Sequence, residues 1–124
     1  IREMISAMKY SIKMISCPTI RDKHGLALSS RNSYLTPDEK KQAAIIYRSL
    51  LQIKEGLNQG MSNPNNLKDI FNKNITTNPN MKIDYISIAD MKTLDEITRI
   101  KEQKILVSTA VFFKTVRLVD NFIY

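Results

Sequence analysis

Two adjacent serines and an arginine, Ser29, Ser30 and Arg31, stand together in a stretch that reads LSSRN. The hydroxyls and the backbone N–H groups of the serines can donate hydrogen bonds to phosphate oxygens. The guanidinium group of Arg31 offers a planar fork that matches two phosphate oxygens and stays charged at any working pH. Serine pairs and asparagine are also common in plain turns. These residues alone leave two interpretations open, a phosphate-binding loop and an ordinary turn.

Other residue types that carry chemistry are scarce. The chain has one cysteine, Cys17, and one histidine, His24, and together they cannot complete a zinc shell. A single cysteine also excludes an internal disulfide and fits a reducing cytoplasm. We expect Cys17 to be a small buried side chain near the end of a strand. We expect His24 to make a local hydrogen bond in a loop, with a proton-dependent contact to phosphate as the alternative.

Composition and charge narrow the class of protein. The 124 residues, 43% hydrophobic and 25% charged, fit about one globular domain. No apolar run approaches the roughly 20 residues of a spanning helix, and the charged first residues are unlike a signal peptide. The net charge of +7 suits a partner that bears phosphates, either nucleotide or nucleic acid. The lysines are dispersed along the chain, however, which is typical of a solvated surface.

The first residues predict a piece of a larger sheet. Residues 1–9 carry apolar side chains at the spacing of one helical face, and residues 11–16 alternate like a strand. A helix followed by a strand is the rhythm of a parallel α/β sheet, and it occurs here only once. The chain also lacks an initiator Met and opens within the helical pattern. We therefore expect a fragment whose first residues are the tail of a truncated α/β domain.

From Thr36 onward the pattern predicts an α+β fold. A capping box at Thr36–Glu39 starts an amphipathic helix that ends near Gly60. Asn63-Pro64 starts a second helix, which stops at 78–80. The remaining predicted elements are strands at 83–90, 105–113 and 115–119, and a short helical turn at 93–97. This order predicts a small antiparallel sheet backed by two main helices.

The wider context of LSSRN resembles one family, the pantoate–β-alanine ligases. The run PTIRDKHGLALSSRNSYLTPDEKKQA, from Pro18 to Ala43, is similar to the family's linker and first lid helix, whose pattern is approximately P-x-x-R-x-x-D-G-L-A-[LM]-S-S-R-N-x-Y-L. RLVDN at 117–121 resembles the closing strand of the family. The chain departs from the family at His24, where Asp is usual, and at Lys114, where Gly is common. A non-glycine residue at that turn predicts either a strained positive φ or a different turn. The matching positions are Pro18, Arg21, Gly25, Leu26, Ala27, Leu28, Ser29, Ser30, Arg31, Asn32, Tyr34 and Leu35.

The resemblance implies an activity and a set of site residues. Leu28, Ser29, Ser30 and Arg31 would contact the phosphates of ATP, in the position of the KMSKS loop of class I aminoacyl-tRNA synthetases. The backbone around Ile20 would meet the adenine side of the nucleotide. Pantoate and ATP, with Mg²⁺ bridging phosphates, would give pantoyl adenylate and pyrophosphate, and the amine of β-alanine would then displace AMP. The two serines and the arginine would contact phosphate in the transition state, and no protein metal site is expected in this chain.

The resemblance also implies a division of the chain. Residues 1–17 would be the tail of an N-terminal Rossmann-like nucleotide-binding domain, residues 18–35 the hinge and phosphate-binding loop, and residues 36–124 the C-terminal lid. Nothing here resembles the HxGH-type motif of the N-terminal domain, so we expect the chain to be inactive alone. The family is dimeric mainly through that domain. The expectation is thus a homodimer for the full-length protein, a monomeric or weakly associated fragment, a cytoplasmic location, and no nucleic-acid or membrane partner.

Two other classes of protein remain as alternatives. A small basic α+β module that binds RNA would cluster Lys and Arg with exposed aromatic residues on one sheet face. Here the lysines are dispersed, and the aromatic residues sit mostly within apolar runs. A purely structural interaction domain, dimerising through its N-terminal helix and strand, would leave LSSRN without a role. We therefore predict the ATP lid of a ligase.

Overall fold

A three-stranded antiparallel sheet with helices against one face forms the main body of this computed structural model, which describes all of residues 1–124. The strands lie side by side in the order β1-β2-β3, so that β2 is central. This architecture confirms the α+β fold predicted from the sequence. The elements are α1 Arg2–Ala7, a 3-10 helix Ser30–Tyr34, α2 Pro37–Ala43, α3 Ile45–Asn58, α4 Pro64–Ile75, β1 Met81–Asp90, β2 Ile105–Phe113 and β3 Val116–Ile123.

The capping box forms, but the helix that it begins is interrupted. The Thr36 hydroxyl accepts a hydrogen bond from the Glu39 N–H at 3.3 Å, and the Thr36 N–H donates to Glu39 Oε2 at 2.8 Å. The single helix predicted up to Gly60 is wrong, because α2 ends at Ala43 and α3 begins at Ile45. At Ala44, which is fully buried, ψ is −10° and the chain turns. Alanine continues the apolar pattern without a breaker residue, so the sequence does not reveal the turn.

The second predicted helix is confirmed as α4. The Asn63 side chain accepts from the Asn65 N–H at 2.9 Å, with Pro64 in the first turn. Leu67, Phe71 and Ile75 follow at intervals of four and are completely buried, as one face of a helix requires. They join the α3 residues Ile46, Leu50, Ile53 and Leu57 and the inner face of the sheet in one core. None of the helices is long and apolar enough to cross a bilayer.

All three predicted strands are present, with changed limits for two of them. β2 has the predicted bounds, β1 begins two residues early at Met81, and β3 continues to Ile123. Lys114 and Thr115 form the two-residue turn between β2 and β3. Lys114 has φ +52°, which confirms the positive φ considered for this position. Its side chain reaches back to α2, where Nζ lies 2.6 Å from Glu39 Oε1.

The predicted helical turn at 93–97 is wrong. Asp90 Oδ1 accepts from the N–H groups of Lys92, at 2.7 Å, and Thr93, at 3.1 Å. These two bonds close a turn at the end of β1. The chain then returns to the sheet, because Glu96 forms an isolated bridge with Ala89. Pairing with β1 therefore replaces the local hydrogen bonds that a helix would need.

The first 20 residues form less regular structure than predicted. The α1 helix has no buried residue, and residues 11–16 are not a strand. A strand needs a neighbour for its N–H and C=O groups, and no strand of this sheet pairs with residues 11–16. The expectation of a buried Cys17 at a strand end is also wrong, since its side chain is exposed.

The Glu39–Lys114 ion pair predicts a pH dependence of stability. The hydrogen bond from Lys114, followed by that from the Thr36 backbone, lowers the pKa of Glu39 from 4.5 to about 2. A lowered pKa contributes stability above the unfolded-state value, and this contribution is lost as the pH falls through the folded-state value. We expect the difference in unfolding free energy between the native chain and Glu39→Gln to shrink from pH 4.5 to pH 2, measured by urea denaturation. A difference that grows towards pH 2 would contradict this assignment.

Candidate functional site

The segment before LSSRN folds into a tight loop around Asp22. Asp22 Oδ1 accepts from the N–H groups of His24, at 2.8 Å, and Leu26, at 3.0 Å. The bond from His24 comes from its backbone N–H, so the role of its imidazole stays a prediction. Beyond the loop, the Leu28 N–H donates to the Ile20 carbonyl at 2.9 Å. The structure therefore places Ile20 beside the first of the four predicted phosphate contacts.

Arg21 fixes this loop to the sheet and to α3. Its guanidinium group makes two hydrogen bonds to the Asp120 carboxylate on β3, of 2.6 and 2.9 Å, and a third to the Gly25 carbonyl at 3.1 Å. The same group stacks on Tyr47 of α3, 3.7 Å from the ring centroid. The two side chains of the ion pair are only 17% and 4% exposed. Paired, bidentate and stacked contacts hold a guanidinium in one orientation, so the loop has a fixed position against β3 and α3.

Gly25 is the position in this loop that a side chain would disturb most. Its φ is +96°, and a Cβ atom would lie 2.6 Å from Cδ1 of Tyr47. Gly60 has a similar φ of +85° but open space around it. We expect Gly25→Ala to destabilise the chain by about 2 kcal/mol, since left-handed backbone costs about 1–3 kcal/mol for other residues and the Tyr47 ring must also move.

Gly60→Ala is the matched control for this prediction, because it places a non-glycine residue at a positive φ without any contact like that with Tyr47. Urea unfolding of the two variants separates the two effects. Equal losses in both variants would show that the Tyr47 contact has no energetic weight.

The 3-10 helix presents LSSRN to solvent while its inner side is fixed. Asn32 is buried, and its Nδ2 donates to the Ala27 carbonyl at 3.0 Å. The Ser29 hydroxyl accepts from the Arg31 N–H at 3.3 Å, which caps the helix. Leu28, Ser29, Ser30 and Arg31 are all exposed. The guanidinium of Arg31 has neither an acidic partner nor a hydrogen bond within the chain.

A cavity of about 360 Å³ opens where the 3-10 helix lies against the β2–β3 turn. Its lining residues are Arg31, Tyr34, Thr115, Val116 and Arg117. A second cavity of about 370 Å³ lies between the linker, α3 and β3. None of the five predicted site residues lines this second cavity, so the first is the one associated with LSSRN.

The backbone of Ile20 can still take part in recognition. Its carbonyl accepts the hydrogen bond from the Leu28 N–H, whereas its own N–H donates no hydrogen bond within the chain. Its side chain is exposed. An unused N–H suits the edge of a nucleobase, whose ring nitrogens accept hydrogen bonds. No group of three or more His, Cys, Asp or Glu side chains is arranged to hold a metal ion.

Sequence reasoning missed the ion pair that fixes the loop. In the sequence Arg21 stands out only as a matching position, and Asp120 only as part of RLVDN, which resembles the closing strand of the family. The two are 99 positions apart, and no local spacing indicates that they meet. A buried aspartate on a strand requires a cation or several hydrogen-bond donors. This requirement was the one indication that Asp120 has a positively charged partner.

The chain matches a family model described as pantoate-beta-alanine ligase over residues 1–123. A pantothenate synthetase of Clostridium botulinum is 41% identical over 124 residues, which are 100% of this chain and 44% of that protein. The crystal structure of pantoate-beta-alanine (pantothenate synthetase) from Thermus thermophilus superposes with a TM-score of 0.81 at 32% identity, covering 98% of this chain and 43% of the other. A pantoate-beta-alanine ligase from Francisella tularensis, described as complexed with beta-gamma ATP and beta-alanine, gives a TM-score of 0.53 at 28% identity, covering 98% and 37%.

The chain thus spans less than half the length of the curated relatives that it matches. Its match to the family model nevertheless takes in the loop, the 3-10 helix and the whole sheet. On this evidence, the chain belongs to the pantoate–β-alanine ligase family.

Proposed function

We propose that this chain is the ATP-binding lid portion of a pantothenate synthetase, which condenses pantoate and β-alanine at the expense of ATP. The observation that carries the proposal is the exposed, unpaired Arg31 beside two exposed serines, on a loop whose backbone is fixed by buried contacts. Free donors on a rigid support suit an anion that arrives from solvent. The Francisella tularensis relative, described with beta-gamma ATP and beta-alanine, is the precedent for these ligands.

In the proposed first step the carboxylate of pantoate attacks the α-phosphate of ATP. The bond to the β-phosphate breaks, pyrophosphate leaves together with Mg²⁺, and pantoyl adenylate remains. Negative charge grows on the phosphoryl oxygens and on the departing pyrophosphate. Ser29, Ser30 and Arg31 would stabilise this charge more in the transition state than in the ground state, because the 3-10 helix that carries them is held by a buried contact.

In the second step the amine of β-alanine attacks the activated carbonyl, loses a proton, and displaces AMP to form the amide. No nucleophile from the chain is needed, because the mixed anhydride provides the activation. A lid that closes over the adenylate would exclude water and limit hydrolysis. In the same proposal the free N–H of Ile20 faces the adenine.

The remaining parts of the proposal concern the rest of the protein. We place residues 1–17 in an N-terminal Rossmann-like domain that supplies the pantoate site, residues 18–35 in the hinge, and residues 36–124 in the C-terminal lid. The share of the relatives covered by this chain, 44%, supports such a division. The chain alone is then inactive, the full-length protein is a homodimer through the N-terminal domain, and the exposed thiol of Cys17 suits a cytoplasmic location.

An amide NMR titration of the chain with Mg-ATP and with a short RNA, at two salt concentrations, tests the proposal against the RNA-binding alternative. We expect saturable Mg-ATP shifts confined to Ile20 and Leu28–Asn32, and their loss in Arg31→Ala. Arg99→Ala, a substitution on a loop of the lid outside the site, is the matched control and should leave the shifts unchanged. Tighter, salt-sensitive RNA shifts spread across the sheet, with the loop silent, would overturn the proposal in favour of an RNA-binding module.

A further inference from the structure

One face of the sheet is not covered by the helices, and Arg117 projects from it. Residues of β3 alternate between exposed and buried positions, with Leu118 and Asp120 buried and Arg117 exposed. Arg117 is paired with Phe112 of β2, which is in turn paired with Lys82 of β1. The open face therefore carries two cations in one row, at the end of the sheet where the β2–β3 turn lies.

This end of the sheet is also where the predicted phosphate loop lies. Arg117 and Arg31 line the same cavity of about 360 Å³, where β3 contacts the 3-10 helix. Tyr34, from the 3-10 helix, contributes an exposed phenol to that cavity. None of the five lining residues is acidic, and Arg31, Tyr34 and Arg117 carry side-chain donors, which suits a ligand with several anionic oxygens.

Arg117 has one acidic partner, Asp84, and the backbone of β1 is altered there. The ladder between β1 and β2 shifts register between Ile83 and Tyr85, so that Asp84 is the extra residue of a bulge. Such bulges redirect a side chain. Both Nε and Nη2 of Arg117 lie on the same oxygen, Asp84 Oδ2, at 2.9 and 2.8 Å.

This ion pair differs from the one that fixes the loop. Its side chains are 44% and 39% exposed, whereas those of Arg21 and Asp120 are nearly buried. Exposed pairs contribute little to stability because water competes for both partners. Arg117 can therefore exchange its bonds to Asp84 Oδ2 for bonds to a more highly charged ligand with a small loss of stability.

We infer that Arg117 is a second phosphate-binding arginine of the lid, which exchanges Asp84 for the β- and γ-phosphates of ATP. This inference rests on the proposed function. In the ATP-free chain Asp84 holds the guanidinium extended over the open face. When nucleotide is bound, the Arg117 guanidinium turns from Asp84 to the cavity, where Arg31 and Arg117 contact the polyphosphate together, and both remain on the pyrophosphate as it leaves.

Substitutions of the two partners of this ion pair are expected to have different effects on nucleotide binding, and this difference tests the inference. In the complete ligase that contains this chain, we expect Arg117→Ala to weaken the binding of Mg-ATP and of magnesium pyrophosphate about tenfold or more, since charge-assisted phosphate contacts are strong. Asp84→Asn should leave binding unchanged or tighten it a few fold, because it frees the arginine. The KM for pantoate and for β-alanine should not change in either variant.

Arg99→Ala is the control for the loss of one positive charge, and urea unfolding of each variant shows whether the fold is retained. Equal losses of nucleotide affinity in Arg117→Ala and Asp84→Asn would mean that the ion pair is only structural, and would overturn the inference. So would unchanged affinity in Arg117→Ala. If Arg31→Ala weakens binding in the same experiment, the proposed function stands although the inference has failed. If Arg31→Ala also has no effect, the proposed function fails with it.

Discussion

Replacing Arg21 by alanine is expected to lower the free energy of unfolding by about 3 kcal/mol, the lower end of the range of about 3–5 kcal/mol for breaking a buried ion pair. The substitution leaves the Asp120 carboxylate, 4% exposed, without the two hydrogen bonds that balance its burial. It also removes the stacking on Tyr47 and the bond to the Gly25 carbonyl. We place the expected loss at the lower end of this range because the Arg21 side chain is 17% exposed.

Lys68→Ala is the matched control, since it breaks the Lys68–Glu96 ion pair of 2.7 Å, in which the glutamate is 53% exposed. That loss should stay within about 1 kcal/mol. Urea unfolding of both variants provides the comparison, and Arg21→Lys should recover only part of the loss because an ammonium group cannot make the bidentate contact. A loss in Arg21→Ala no larger than in Lys68→Ala would show that the pair does not fix the loop.

Replacing Arg31 by alanine is expected to lower kcat/KM for ATP by about 10²–10³-fold in the complete ligase, the effect typical of removing one preorganised donor from a developing charge. The unfolding free energy should change by less than about 0.5 kcal/mol, because exposed side chains without partners contribute little. The structure gives this group no partner within the chain, so its loss leaves no buried atom uncompensated.

Arg31→Lys separates charge from geometry at the same position. It keeps the positive charge but loses the planar fork, so activity between that of the native protein and that of Arg31→Ala is expected. Lys40→Ala on α2 is the control for net charge, and it should retain native kinetics. A native value of kcat/KM in Arg31→Ala would show that this arginine is not part of the site, regardless of the results for the other residues.

Those parts of the fold that depend on short-range patterns could be predicted from the sequence. Thr36 and Glu39 specify a capping box within four residues, and Leu67, Phe71 and Ile75 mark one helical face by their spacing alone. The β-branched and aromatic content of 105–113 predicted the bounds of β2. In each case the element is stabilised by interactions between residues that are close together in the sequence.

The wrong predictions share a dependence on distant residues. Residues 11–16 alternate like a strand but have no neighbouring strand in the chain. In the segment 93–97, Glu96 forms a bridge with Ala89 of β1 and no helix is present. The candidate site divides in the same way. The residue types of LSSRN left a phosphate-binding loop and a plain turn open, and the family resemblance favoured the first. The contact of Arg21 with Asp120 and the cavity shared by Arg31 and Arg117 depend on the folded chain.

The most direct test of the central claim measures the two half-reactions of the complete ligase separately in Arg31→Ala. Exchange of labelled pyrophosphate into ATP, dependent on pantoate, reports formation of the adenylate. Conversion of supplied pantoyl adenylate and β-alanine to pantothenate reports the second step. We expect the exchange to fall by about 10²–10³-fold while the second step keeps its native rate, because the charge on pyrophosphate develops only in the first step. Native exchange rates, or an equal loss in both half-reactions, would contradict the role of this loop in contacting the phosphates of ATP.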